Sequence, residues 1–294
     1  MRKKIIISRL FGGLGNQLFI FASSLAIAKS ADAELVLDDH SGFISDYKYK
    51  RTYQLDKFNI SSRRANFFER LEPMPRLRRK LKQFVNSFYK HPNKSYIEET
   101  SRLYDPRMMN LGEAKIIYLE GYWQTEKYFL PNADEVKSQL MIQAPADNLN
   151  QELALKMIND ESVCIHIRFF DEEKPFEIVE GYYEKALKYL ASTNSNLNFY
   201  LFSDQPERAR AYLNLPSNKI TLIDHNKGDE SAFADLWLMS QCKYFIVSNS
   251  SFSWWGAWLA SNKDKAVLRP YLKIEDMNDD DSKDFYPTSW IRIS

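Results

Sequence analysis

Short apolar runs alternate with helical stretches over almost the whole chain, and this alternation narrows the fold more than any other feature. Residues 4–8, 34–38, 115–119, 163–167, 198–202, 220–223, 244–247 and 266–268 read as strands. Residues 18–30, 147–160, 181–190, 206–213, 231–242 and a segment beginning at Trp254 read as helices. Strand, helix, strand in succession implies an α/β protein with mostly parallel sheets, because parallel neighbours need a crossover. Ligands of such sheets sit at the carboxyl ends of the strands. Several of these runs end in polar clusters: Ser203-Asp204-Gln205, Asp224-His225 and Ser248-Asn249-Ser250-Ser251.

The strand at 163–167 continues as His166-Ile167-Arg168-Phe169-Phe170-Asp171. His166 and Arg168 are two apart and project from one side of a strand. A guanidinium at a strand's carboxyl end suits a phosphate. The plainer alternative is a half-buried edge strand with an ion pair between Arg168 and Asp171.

With 294 residues the chain can form one large domain or two smaller ones. A net charge of +1 gives no reason to expect a nucleic-acid partner. The two cysteines, Cys164 and Cys242, lie far apart in apolar runs and form no metal or redox motif, which fits a reducing compartment. The charged start carries only three consecutive apolar residues, too few for a signal peptide core, and no segment approaches a membrane span. A cytoplasmic location follows as the expectation.

Gly12-Gly13-Leu14-Gly15-Asn16-Gln17 reads as a glycine-rich turn between the first strand and helix. It suits either close approach of an anion or simply a tight turn, and it lacks the third glycine of the dinucleotide fingerprint. Residues 63–89 read as a basic amphipathic segment, interrupted or begun at Pro73 and Pro75. Two alternatives stand: a helix packed through its apolar stripe with a solvated basic face, or a peripheral contact with an anionic membrane. Tyr122-Trp123-Gln124 after Glu120-Gly121 suits either a sugar site or packing. The acidic run at 276–284 reads as a solvated loop before a docking Trp290. Asp279-Asp280-Asp281 within it is not taken as a metal site, and no metal is expected.

Three runs together carry a resemblance. Gly12-Gly13-Leu14-Gly15-Asn16-Gln17-Leu18-Phe19, His166-x-Arg168-x-x-Asp171 and Ser248-Asn249-Ser250-Ser251-Phe252-Ser253-Trp254-Trp255-Gly256-Ala257-Trp258 resemble glycosyltransferase family 11, the α-1,2-fucosyltransferases, in order and distance over nearly the whole chain. The middle motif departs from the family's His-x-Arg-Arg-Gly-Asp-Tyr: Phe169 and Phe170 replace Arg-Gly, and Glu172 replaces the tyrosine.

The resemblance implies a GT-B-like α/β fold, two Rossmann-like lobes, expected at 1–158 and 159–294, with a cleft between them. It implies transfer of L-fucose from GDP-fucose to a galactoside 2-hydroxyl, with inversion, without a metal or other cofactor, in bacterial surface glycan synthesis. By motif position Arg168 would hold the β-phosphate, while His166 and Asp204 would contact guanine. Ser248, Asn249, Ser250 and Ser251 would supply the phosphate loop. Gly13 and Gly15 would face the donor across the cleft, with Asn16 and Gln17 beside its sugar. An inverting transfer also needs a base; Asp171 is the candidate by position, beside Glu120 and Glu172. The partners implied are the nucleotide sugar and an oligosaccharide or lipid-linked glycan acceptor. The altered middle motif leaves open another nucleotide-deoxysugar donor, and a non-catalytic glycan- or nucleotide-binding protein is the reading from another class.

Overall fold

A computed structural model describes residues 3–71, 75–169, 181–213, 215, 217–262, 264–271 and 283–294. The chain forms two compact units: residues 1–141 with 283–285, and residues 142–282 with 286–294. The division falls at Met141–Ile142 rather than after residue 158.

The first unit opens with β1 (Lys4–Arg9), α1 (Leu14–Ser30), β2 (Ala33–Asp38) and the two-residue β3 (Arg63–Arg64). It continues with α2 (Pro75–Ser87), β4 (Tyr96–Glu98), β5 (Ile116–Glu120) and α3 (Ala133–Gln139). Its sheet has the order β3-β2-β1-β5-β4, with every ladder parallel. Helix α1 is apolar on all sides, LGNQLFIFASSLAIAKS, and all of Leu14 to Ala28 except Asn16 is buried. Such a helix belongs in a core rather than on a surface. It begins at Leu14, not at residue 18, so the glycine turn is shorter than its composition suggests and Gly15 lies within the helix.

The basic segment departs from its expectation in two ways. Residues 63–71 form a short strand and turns, and the helix begins with Pro75 at its first position, where a missing N–H costs nothing. The described apolar residues of α2, Leu81, Phe84 and Val85, face outward rather than into the core. Strands β3 and β4 were not legible: one has two residues, and the other reads Tyr-Ile-Glu without a run.

The second unit comprises α4 (Asn148–Asn159), β6 (Glu161–Ile167), α5 (Tyr182–Thr193), β7 (Leu197–Ser203), α6 (Pro206–Leu213) and β8 (Ile220–Ile223). There follow α7 (Ala232–Met239), β9 (Tyr244–Ile246), α8 (Ser251–Leu259), β10 (Ala266–Pro270) and β11 (Ile291–Ile293). Helix α4 packs on β6 and α7, which is why it belongs here and not to the first unit. The sheet order is β11-β10-β9-β6-β7-β8, all parallel. Strand β6 is therefore central, not an edge, and its near-continuous apolar run suits a strand covered on both faces. Val163, Ile165 and Ile167 pack with Tyr182, Tyr183, Ala186 and Leu190 of α5.

Trp290 docks as expected: its ring lies 5.5 Å from that of Trp254 and 5.9 Å from that of Tyr286. Residues 276–282 lie outside the described residues. Asp284, the last of the acidic run, is buried rather than solvated, accepting from the Tyr104 N–H at 2.9 Å and pairing with Lys127 within the first unit. Cys164 and Cys242 are buried free thiols.

Candidate active site

In the second unit the first three strands, β6, β7 and β8, run outward to one side, and β9, β10 and β11 run to the other. The order reverses between β6 and β9, which is where a doubly wound sheet binds its ligand. His166, Arg168 and the 248–251 loop stand at the carboxyl ends of those two strands.

His166 is buried, and its Nδ1 lies 2.8 Å from the Ser248 hydroxyl, so the ring bridges β6 and β9. Tyr183 donates its hydroxyl to the His166 carbonyl at 2.9 Å, and Tyr286 donates to the Ser248 carbonyl at 3.2 Å. Tyr182 donates to the carbonyls of Val247 at 2.7 Å and Leu268 at 2.9 Å. Three tyrosines thus satisfy carbonyls at the ends of β6 and β9, and Tyr182 also joins the Val247 N–H on the Leu268 carbonyl within β10. None was foreseen; the adjacent Tyr182-Tyr183 at the start of a helix was the available signal.

Burial, and secondarily the neighbouring Arg168 charge, push the His166 imidazole down to about 3. An unfolded histidine titrates near 6.5. Between those values the unfolded chain binds the extra proton, so stability rises with pH. The contribution is whole above about 6.5 and is lost as pH falls towards about 3, by at most roughly 1.4 kcal/mol per pH unit. Denaturant unfolding at about pH 7.5 and about pH 5 should show a smaller acid loss in His166→Gln than in the parent. Equal losses would mean that His166 is protonated in the folded protein.

Arg168 emerges after β6 and is 30% exposed at its side chain. Its Nε lies 3.5 Å from Asp204 Oδ2, and the other oxygen, Oδ1, accepts the Phe169 N–H at 3.0 Å. Asp204 therefore clamps the end of β6 through both side chain and backbone. Phe169 is not a pocket residue: its ring is buried, edge-on to Tyr212 at 6.3 Å, with the Arg208 guanidinium 4.4 Å from its centre. Asp171, Glu172 and Phe170 lie outside the described residues.

The 248–251 loop leads into α8. Ser250 caps it, accepting the Phe252 N–H at 3.2 Å, and Ser253 reaches back to the Ser250 carbonyl at 3.4 Å. The helix begins at Ser251 rather than Trp254, so Ser251 belongs to its first turn and Asn249 to the approach. A serine-capped helix start presents the positive end of the helix dipole. Trp254, Trp255 and Trp258 bury the helix behind it.

In the first unit the order reverses between β1 and β5. Gly12 has φ +77°, and a Cβ there would meet Asn16 Nδ2 at 2.8 Å, so the turn requires a glycine. Gly13 is the helix cap, in an extended conformation. Gln17 is wholly buried: its amide donates to the carbonyls of Gly12 and Thr52, both at 2.9 Å, and its oxygen accepts the Gln54 N–H at 3.0 Å. It therefore shapes the turn from beneath. Asn16 is partly exposed and accepts from the Gln124 amide at 2.8 Å.

Trp123 packs into the core, whereas Tyr122 is on the surface, 4.5 Å from the Phe11 ring. The aromatic pair thus divides between packing and an open face. Glu120 is bound by Arg9 at 2.9 Å, by Arg79 Nε at 2.8 Å and by the Tyr96 hydroxyl. Both of its oxygens are engaged by cations, a structural arrangement rather than that of a base awaiting a proton. Glu99, which went unnoticed, accepts the Tyr122 and Trp123 N–H groups at 2.7 and 3.0 Å, and burial raises its carboxyl above the usual range. Among the described residues no group of three or more His, Cys, Asp or Glu is placed to hold a metal. No helix among them is long and apolar enough to cross a membrane.

The model of glycosyl transferase family 11 matches residues 12–294. An alpha-1,2-colitosyltransferase of Escherichia coli is 31% identical, over 98% of this chain and 99% of that protein. The O-antigen biosynthesis glycosyltransferase WbnK of Escherichia coli is 30% identical, over 90% and 93%. Among solved structures, fucosyltransferase NodZ from Bradyrhizobium superposes with a TM-score of 0.54 at 13% identity, over 87% of this chain and 92% of that one. A variant of FUT1 from Arabidopsis thaliana in complex with GDP gives 0.55 at 15% identity, over 99% and 76%. These likenesses carry the fold, an α/β arrangement of two parallel sheets of the kind found in GT-B-like fucosyltransferases.

Proposed function

Because the chain belongs to glycosyl transferase family 11 and is a glycosyltransferase, we propose that it moves a 6-deoxyhexose, L-fucose in the first instance, from a GDP-linked donor to a galactoside 2-hydroxyl with inversion. The observation that carries this reading is the placement of Arg168 at the reversal point of the second sheet. There it is held by Asp204, with the capped start of α8 following the neighbouring strand. In the transfer the acceptor oxygen forms a bond to the anomeric carbon, the bond to the diphosphate breaks, and the electron pair leaves with GDP. Negative charge grows on the diphosphate, and groups already aimed at it lower the barrier most. Arg168 and the α8 N-terminus do this without a metal in the proposal. Ser248, Ser250 and Ser251 complete the phosphate loop, and Asp171 takes the acceptor proton. The acceptor is an oligosaccharide, either free in the cytoplasm or carried on a lipid, of the bacterial surface-glycan class.

A second reading is favoured by the colitosyltransferase relative, aligned over nearly the full length of both chains. Colitose and fucose differ by one ring hydroxyl, a difference a sugar pocket can read only through the group that bonds it. Calorimetric titration with GDP, UDP and ADP, each with and without EDTA, tests the donor site. Binding selective for GDP and indifferent to EDTA is expected. Preference for UDP would replace the donor, and no binding to any nucleotide would remove the enzymatic reading in favour of a binding protein. Turnover with GDP-fucose against GDP-colitose then separates the two sugars.

A further inference from the structure

Helix α2 is built inside out. Its inward positions are polar: the Arg79 guanidinium meets the Tyr96 hydroxyl at 3.1 Å and Glu120 at 2.8 Å. Gln83 donates to Glu98 at 2.9 Å. Asn86, buried, accepts the N–H groups of Ser95 and Tyr96 at 2.9 and 3.1 Å. The Lys82 ammonium lies 4.3 Å from the centre of the Tyr118 ring. Outward, Leu81, Phe84, Val85 and Phe88 are 58%, 63%, 46% and 73% exposed. Their spacing makes one stripe that runs along the helix and onto Phe88, the residue just past its end. Phe84 and Phe88 pack edge to face on each other at 5.2 Å. A helix already anchored through its polar face has no structural need for such a stripe, and a contiguous apolar patch of this kind marks a surface meant to be covered.

The charge around the stripe identifies the cover. Residues 75–94 contain no Asp or Glu, and besides Arg79 and Lys82, which turn inward, they carry Arg76, Arg78, Lys80, Lys90 and Lys94. A second copy meeting this face across a two-fold axis would set one cationic segment against another. An anionic bilayer meets both features at once, taking the apolar side chains below the headgroups and the ammonium groups among them. At 13 residues the helix is too short to span and is of a length to lie in the interface. We propose that α2 docks this protein on anionic phospholipid membranes, lying flat with Leu81, Phe84, Val85 and Phe88 inserted at the headgroup boundary.

The proposal does not depend on the donor or the reaction. The full-length protein is sedimented with phosphatidylcholine vesicles, with and without phosphatidylglycerol. Binding is expected to the phosphatidylglycerol vesicles and to weaken with salt. The double variant Phe84→Gln, Phe88→Gln should bind at least about tenfold more weakly. Its thermal midpoint and nucleotide binding should be unchanged, because both rings are exposed and lie outside the proposed donor site. Lys80→Glu with Lys90→Glu should lose the preference for phosphatidylglycerol. No binding of the parent to either vesicle, or equal binding by parent and Phe variant, overturns the proposal. So does concentration-dependent dimerisation abolished by the same two substitutions, which would assign the stripe to self-association.

Discussion

Replacing Arg168 by alanine should lower kcat/KM for glycosyl transfer by about a hundredfold to a thousandfold, the cost typical of removing one preorganised donor to developing charge. Stability should barely change. The guanidinium is partly exposed, and its Nε contact with Asp204 is 3.5 Å, a pair of the kind worth at most about 1 kcal/mol. The Phe169 N–H to Asp204 bond, which holds the end of β6, survives the substitution. Arg168→Lys should recover only a fraction of the rate, because a single ammonium cannot present the planar fork that two phosphate oxygens accept. Steady-state kinetics with thermal melts on the same preparations make the check. Unchanged transfer in Arg168→Ala would take this residue out of the chemistry and leave the capped start of α8 as the phosphate site.

Gly42→Ala should be the most destabilising single-methyl change at the described glycines. A Cβ at that position would stand 1.8 Å from the Leu10 carbonyl oxygen and 2.7 Å from both its carbon and the Phe11 Cβ. Leu10 and Phe11 lead from β1 into the glycine turn, so neither partner is a flexible side-chain end that can swing away. The backbone must move, and a loss of about 3 kcal/mol or more is expected. Gly13→Ala is the contrast: its Cβ would find only the Arg51 guanidinium, at 3.9 Å, and a helix cap tolerates alanine at a cost of about 1 kcal/mol. Equilibrium unfolding of the two variants separates them. A Gly42→Ala midpoint equal to that of Gly13→Ala would mean that the loop after β2 yields easily.

The parallel sheets were legible because burial on both faces demands runs such as Val163 to Ile167, and the residues between those runs keep helical spacing. Position at a strand end follows from the same pattern, so His166, Arg168, Asp204 and Ser248 could be placed at the carboxyl ends of their strands without coordinates. Their mutual roles could not. Arg168 was offered Asp171 by proximity in sequence, yet its described partner is Asp204 at the end of the neighbouring strand β7. Parallel pairing brings those strand ends together across a whole crossover. Gln17 has the composition of a ligand contact but is buried beneath the turn it shapes. Phe169 stands where the family carries a cation and serves the core.

The same line divides the rest of the molecule. Period and composition determine which segments are strands and which are helices, since those are local properties of side-chain spacing. Helix α2 shows where that stops: its amphipathic pattern is plain in the sequence, but which face turns inward depends on the partners waiting there. Glu120, Glu98 and Tyr96 draw in its polar side and leave Leu81, Phe84, Val85 and Phe88 in water. Gly42 is a second instance, an unremarkable loop residue until Leu10 and Phe11, leaving β1, pass within contact distance of it. A sequence alone specifies the preferences of each segment; distances between segments far apart in the chain arise only when the sheets close.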